Sequence, residues 1–320
     1  MSSKVRNLEV VMQQELSAPA TWQALSQELS GTAERVGHAV VALNALRRIP
    51  SSGVVWRPGT LVTANHTLEH EEITATLPDS RTTPVSLAGR DPSTDLAVLR
   101  LEGVDLPAAE AGDLSSVKVS HVVLAIARTS EGGERAALAT IGVLGPAWRP
   151  RAGGLLDRTV RLDRNLHPNF SGGPVVDQQG RVLGIATSAL SRYSTVVIPA
   201  STVSRVIDEL LTRGHIARGY LGLGMYPLRL PANLRTSLSL TGESGVMVVA
   251  VETASPAEKA GVMIGDVLVA FDGSPVRDTD EVQSFLGSER VGKAIATKIV
   301  RAGSLKELTI VVGERLPVEP

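Results

Sequence analysis

Residues 169–190 read NFSGGPVVDQQGRVLGIATSAL. A serine, Ser171, is followed by two glycines and a proline, and then by two short apolar runs with a polar turn, DQQGR, between them. Glycines beside a nucleophile let the backbone turn tightly and let a substrate carbonyl come close. On its own, Ser-Gly-Gly-Pro is equally compatible with a plain turn between strands. The rest of the chain decides between the two.

A serine hydroxyl is a weak nucleophile unless a histidine takes its proton, and the histidine needs a buried carboxylate to fix its tautomer. Both partners stand upstream. His66 lies in LVTANHTL, just after a β-rich run, and Asp95 lies in DPSTDLAVLRL, just before another. The chain has 6 histidines, so one histidine by itself carries little weight. The weight comes from the order His, Asp, Ser, with each residue at the edge of a strand.

With 320 residues the chain has room for two domains and a short extra segment. Hydrophobic residues make up 43% and charged residues 20%, the balance of a globular protein, while aromatics at 3% leave Val, Leu, Ile and Ala to fill the core. A net charge of -1 gives no electrostatic footprint for nucleic acid or an anionic membrane. The absence of cysteine excludes disulfides, a thiol nucleophile and a cysteine-ligated metal.

Helical spacing of Val5, Leu8, Met12 and Leu16, then of Trp22, Leu25 and Leu29 after Pro19, predicts a helical segment over residues 1–33, expected to pack on the neighbouring domain, with self-association through the apolar stripe as the alternative. From about residue 36, short Val, Ile, Thr and Leu runs broken by Gly, Pro, Asp or Ser predict an all-β domain over 34–214, better housed in two barrels than in one sheet. Val203, Val206, Ile207, Leu210 and Leu211 predict a closing helix that stops at Gly214. Residues 218–316 read as a smaller α/β module, with a loose tail beyond.

The chain resembles the HtrA/DegP family of trypsin-like serine proteases with PDZ domains. The likeness runs through ERVGHAVVAL, SSGVV, TANHTL, DPSTDLAVLRL, the Ser171 stretch and VVIPASTVSRVIDEL, and continues through RGYLGLG and GVMVVAVETASPAEKAGVMIGDVLVAFDGSPV. It implies a mostly β fold: a trypsin-like double β-barrel followed by a small α/β PDZ domain. By the resemblance His66 is the general base, Asp95 its orienting partner and Ser171 the nucleophile, with the N–H groups of Asn169 and Ser171 as the oxyanion hole. Ile185, Ala186 and Thr187 would pair with an extended substrate, and Leu166 with Ile185 would shape a small apolar pocket for Val, Ala or Leu. Tyr220, Leu221, Gly222 and Leu223 would hold a peptide's terminal carboxylate, its last side chain entering a pocket formed by Leu221, Leu223, Val282 and Leu286.

Two departures stand before the nucleophile. The family writes Gly-Asn where this chain writes Asn169-Phe170. Asn tolerates positive φ best among non-glycine residues, so Asn169 is expected in that conformation with its N–H correctly presented. Phe170 needs a buried slot. His167, where the family has a polar amide, offers a pH-sensitive contact or is a plain loop residue.

A competing pattern, His66-Thr67-Leu68-Glu69-His70, matches the His-x-x-Glu-His of inverted zinc peptidases, but that chemistry needs a long helix where this sequence leaves about one turn. No metal or other cofactor is expected. The reading is a serine endopeptidase acting on unfolded or damaged polypeptides, with peptide C-termini as PDZ ligands. The alternative is a pseudo-protease serving as a peptide-binding scaffold. No nucleic acid or membrane span is expected, and the resemblance implies a homo-oligomer, a trimer first. The first residues lack a signal-peptide pattern, which reads as cytoplasmic; a truncated sequence would instead belong in the periplasm or cell envelope.

Overall fold

The computed structural model describes residues 18–45, 50–70, 72–150, 153–217 and 219–315. The apolar spacing from Val5 to Leu16 and the tail beyond 316 lie outside the described residues. Helix α1 covers Ala18–Gly37. It is buried through Thr32, Ala33 and Val36 in its last two turns, whereas Trp22 is 73% exposed. Packing therefore uses the end of the helix, not the stripe that begins at Trp22.

Among the described residues twelve strands come next, in two closed barrels. The first takes β1 (Val40–Asn44), β2 (Ser51–Arg57), β3 (Thr60–Ala64), β4 (Ile73–Thr76), β5 (Thr82–Asp91) and β6 (Leu96–Arg100) in the order β1-β2-β3-β6-β5-β4. The second takes β7 (Val122–Arg128), β8 (Glu134–Gly145), β9 (Thr159–Leu162), β10 (Pro174–Val176), β11 (Val182–Thr187) and β12 (Val196–Pro199) in the order β10-β11-β12-β9-β8-β7. Closure leaves no unpaired edge, so strands as short as β10 suffice wherever aliphatic side chains fill the interior. In the second barrel Val123, Ala125, Ile141, Val160, Leu162, Val175 and Leu183 do so, with Phe170 the one aromatic in the cluster.

Helix α2 (Ala200–Arg213) succeeds β12. Val203, Val206, Ile207 and Leu210 are buried, and Gly214 ends the helix at φ 76° with its N–H on Leu210 O. That is the αL stop read from the sequence.

By packing, the chain divides into two compact units. One holds the described residues up to Ser86 with Leu99–Leu144 and Val160–Ser201; the other holds Leu87–Val98, Gly145–Thr159 and the described residues from Thr202 on.

The second unit contains a mixed module: β13 (Gly219–Tyr220), β14 (Leu223–Arg229), α3 (Ala232–Ser237), β15 (Ser244–Val251), α4 (Pro256–Lys259), β16 (Val267–Phe271), β17 (Ser274–Pro275), α5 (Thr279–Phe285), β18 (Ala294–Arg301), β19 (Ser304–Val311) and β20 (Gly313–Glu314). The main sheet runs β14-β15-β16-β18-β19, which places β14 at an edge. Ser255 caps α4 by accepting from Glu258 N–H, with Pro256 in the first turn, and Asp278 caps α5 by accepting from Glu281 N–H. Val246, Val248, Leu268, Phe271, Val282, Ile295, Ile299 and Ile310 form the core.

Candidate active site and peptide-binding loop

Ser171 sits at the end of a 3₁₀ turn, Pro168–Phe170, on the way into β10. Gly172 adopts φ 85°, and a Cβ there would lie 2.1 Å from Ser52 O and 2.2 Å from Thr63 Oγ1. A Cβ on Gly173 would lie 2.2 Å from Ile126 O. No side chain fits at either position, which is the physical content of the two glycines. Ser52 N–H donates to Ser171 O at 3.1 Å and fixes the turn against β2. Phe170 is 4% exposed within the second barrel's core, so the slot it needs exists.

Asn169 departs from expectation. It lies inside the 3₁₀ turn, outside the positive-φ set of the described residues. The reason is visible in its partners. Asn169 Nδ2 donates to Pro50 O (3.1 Å) and Arg128 O (3.0 Å), and Asn169 O accepts from Ser52 Oγ (2.9 Å). Its backbone N–H points to His167 Nδ1 at 3.2 Å, while Ser171 N–H donates to Pro168 O at 2.9 Å. Both N–H groups assigned to the oxyanion hole are thus engaged within the chain. Asn169 Oδ1 is buried without a hydrogen-bond partner.

Arg128 anchors this wall. Its guanidinium donates to Val40 O, Gly132 O and Gly37 O, and burial pushes its pKa down, with Glu134 nearby acting in the opposite sense.

His66 stands in a 3₁₀ turn, Asn65–Thr67, directly after β3, and its ring is exposed. One such turn is not the long helix the zinc pattern requires. Ser188, which no motif in the sequence marks, stands between the Ser171 hydroxyl and the His66 ring: Ser188 Oγ lies 3.1 Å from Ser171 Oγ and 3.3 Å from His66 Nε2. Ser188 N–H also points to Ser171 Oγ at 3.3 Å. Nothing in a lone Ser after an apolar strand signals this placement; it results from where β11 ends.

Asp95 belongs to the second unit. It is 3% exposed and holds φ 60° at the turn into β6. Asp91 builds that turn by accepting from Ser93 N–H and Thr94 Oγ1. An Asp in the left-handed region is tolerated where its surroundings fix it.

The substrate-side residues fall differently from expectation. β11 is a central strand, with Ile185 opposite both Pro174 and Ile198, and Ala186 N–H and O are taken by Gly173 O and Gly172 N–H. Ile185 and Ala186 therefore have no free edge to offer a substrate. The last ladder pair is Thr187 with Val196, so the strand opens only from Ser188 on. Ile185 is fully buried and cannot line an open pocket, whereas Leu166 is half-buried against the barrel core.

In the second unit, Tyr220, Leu221, Gly222, Leu223, Met225 and Leu286 line one cleft. The carbonyls of Leu221 and Gly222 accept from Ala257 and Glu252 N–H, which sets the loop, and Gly222 at φ 78° has Ser255 Cβ 2.2 Å from where its own Cβ would be. Tyr220 O–H donates to Glu252, and that bond, with burial, raises the phenol's pKa. Val282 is fully buried in the core, behind the cleft and not on its wall.

Residues 51–185 match the trypsin-like peptidase domain and residues 219–312 match the PDZ domain. A probable periplasmic serine endoprotease DegP-like from Pseudomonas fulva is 30% identical over 269 residues, 82% of this chain and 55% of that protein. Its namesake from Chlamydia trachomatis is 30% identical over 273 residues, 83% of this chain and 54% of that protein. The chain thus spans about half the length of these curated relatives. Among solved structures, HtrA-type protease AlgW with decapeptide is 26% identical with TM-score 0.72, covering 91% of this chain and 99% of that one. The serine endoprotease from Yersinia pestis shares the fold at TM-score 0.70 and 24% identity, covering 90% of this chain and 98% of that one.

Proposed function

We propose, on the premise that the chain belongs to the HtrA/DegP type of trypsin-like serine proteases with one PDZ domain, that it is an endopeptidase whose nucleophile is Ser171. The observation that carries the reading is the meeting of Ser171, Ser188 and His66 over a glycine turn that no other residue could form. His66 takes the proton as Ser171 Oγ attacks a peptide carbonyl, and later gives it to the leaving amine. Asp95 orients the imidazole. Asn169 and Ser171 N–H groups stabilise the oxyanion once a substrate turns the Pro168–Phe170 peptides outward; Asn169, without a glycine's freedom, makes that turn harder than in relatives.

Extended polypeptides are the proposed substrates, running along the chain after Thr187, with Leu166 beside the residue before the cleaved bond. A peptide C-terminus is the proposed PDZ ligand, laid along the free edge of β14 with its carboxylate at Leu221–Leu223. The periplasmic naming of the relatives supports the same compartment for this chain; a trimer is the assembly that the family resemblance implies. Among the described residues no helix is long and apolar enough to cross a membrane.

The second reading, a scaffold without hydrolysis, rests on the engagement of both oxyanion donors inside the chain. A fluorophosphonate probe decides between them. Labelling of the wild type and not of Ser171→Ala is the expected result; labelling of neither establishes the scaffold.

A further inference from the structure

The hydroxyl of Ser188 touches both members of the nucleophile–base pair. An imidazole whose Nδ1 carries the proton has a single lone pair, on Nε2. That lone pair must receive the Ser171 proton during attack. A Ser188 O–H that donates to Nε2 at 3.3 Å occupies the same lone pair. The other side of Ser188 restrains the nucleophile: with its one proton on Nε2, Ser188 Oγ accepts from the Ser171 hydroxyl at 3.1 Å, and Ser188 N–H donates to Ser171 Oγ at 3.3 Å.

We propose that Ser188 is a positioning residue, a hydroxyl latch that holds Ser171 away from His66 in the resting molecule and is released when a polypeptide strand aligns beside it. The inference rests on the peptidase reading and deepens it.

Three features make the latch releasable. Ser188 is exposed, so moving it opens no cavity. It is the first residue past the last ladder pair of β11, Thr187 with Val196, so its backbone shifts without breaking the barrel. Ala189 N–H is tied back to Thr187 Oγ1 at 3.1 Å, so the turn through Ser188 is held locally, at the point where the ladder ends. A substrate strand forming backbone hydrogen bonds from residue 188 onward competes directly with the Ser188 contacts. Once the hydroxyl leaves, the Nε2 lone pair is vacant for the Ser171 proton.

The test compares wild type, Ser188→Ala and Ser188→Thr. Ser188→Ala removes the hydroxyl, and Ser188→Thr keeps it. Under the latch, the second-order rate of fluorophosphonate labelling rises about two- to tenfold in Ser188→Ala, the equivalent of one hydrogen bond released, and stays near wild type in Ser188→Thr. Equal or slower labelling of Ser188→Ala overturns the latch. A second readout does not depend on activity: the ¹⁵N resonance of His66 Nε2, assigned with His66→Gln, moves in Ser188→Ala and stays in place in Ser188→Thr. If no variant labels, the peptidase reading fails and the nitrogen spectrum alone judges the latch, an unmoved Nε2 resonance in Ser188→Ala overturning it.

Discussion

Gly172 is where one atom decides the site. Its φ of 85° and the 2.1 Å approach of Ser52 O leave no place for a methyl group. Gly172→Ala adds about 1–3 kcal/mol of backbone strain and a similar amount of overpacking. The expected outcome is a lowered denaturation midpoint together with lost labelling of Ser171, measured on one preparation. Asn169 is the converse case, a residue whose side chain holds the turn shut through Pro50 O and Arg128 O. Asn169→Gly removes both bonds and the buried, unpartnered Oδ1. Labelling of Ser171 is then expected to quicken about tenfold, the worth of one to two net hydrogen bonds; a slower rate would show that Asn169 supports the active loop. The need of Phe170 for a buried slot was readable from the sequence. The conformation of Asn169 was not, because its side-chain partners lie 41 and 119 residues away.

At the scale of elements, the edge strand β14 and the loop before it carry the proposed peptide site. Gly222→Ala sets a Cβ against Ser255 and strains φ, so affinity for a peptide with an apolar C-terminal residue is expected to fall at least about tenfold, read by fluorescence anisotropy. Undiminished affinity would move the site elsewhere. The strands beneath are tied by Asp266, whose Oδ1 lies 2.7 Å from Arg301 Nε. Burial works against its ionisation, but the Arg301 guanidinium and Met263 N–H outweigh burial and hold Asp266 below the usual carboxylate range. A depressed folded pKa contributes stability above the unfolded value, about 3.9, and loses it as pH falls through the folded value. Denaturation midpoints of the wild type should therefore drop below about pH 4, and Asp266→Asn should flatten that part of the curve. Arg301→Ala, which strands the carboxylate, is expected to cost about 3–5 kcal/mol at neutral pH in a denaturant titration.

For the molecule as a whole, the order of parts was legible from motif and rhythm: a helix after Pro19, two barrels' worth of short strands, a closing helix stopped by Gly214, then the PDZ module. Local signals suffice for such elements because turns and caps are written in neighbouring residues. The position of β11 between β10 and β12 was not legible, since pairing partners are set by tertiary packing; this is why Ile185 and Ala186 look like substrate contacts in the sequence and are interior in the fold. Ser188 is illegible for the same reason: the side chains it meets, Ser171 and His66, lie 17 and 122 residues away. The measurement that bears most directly on the central claim is kcat/KM for an unfolded polypeptide such as casein, determined for wild type, His66→Ala and Ser171→Ala. Hydrolysis by the wild type and a fall of about a thousandfold or more in each variant is predicted. Hydrolysis that survives either substitution, or a wild type that cleaves nothing, would contradict it.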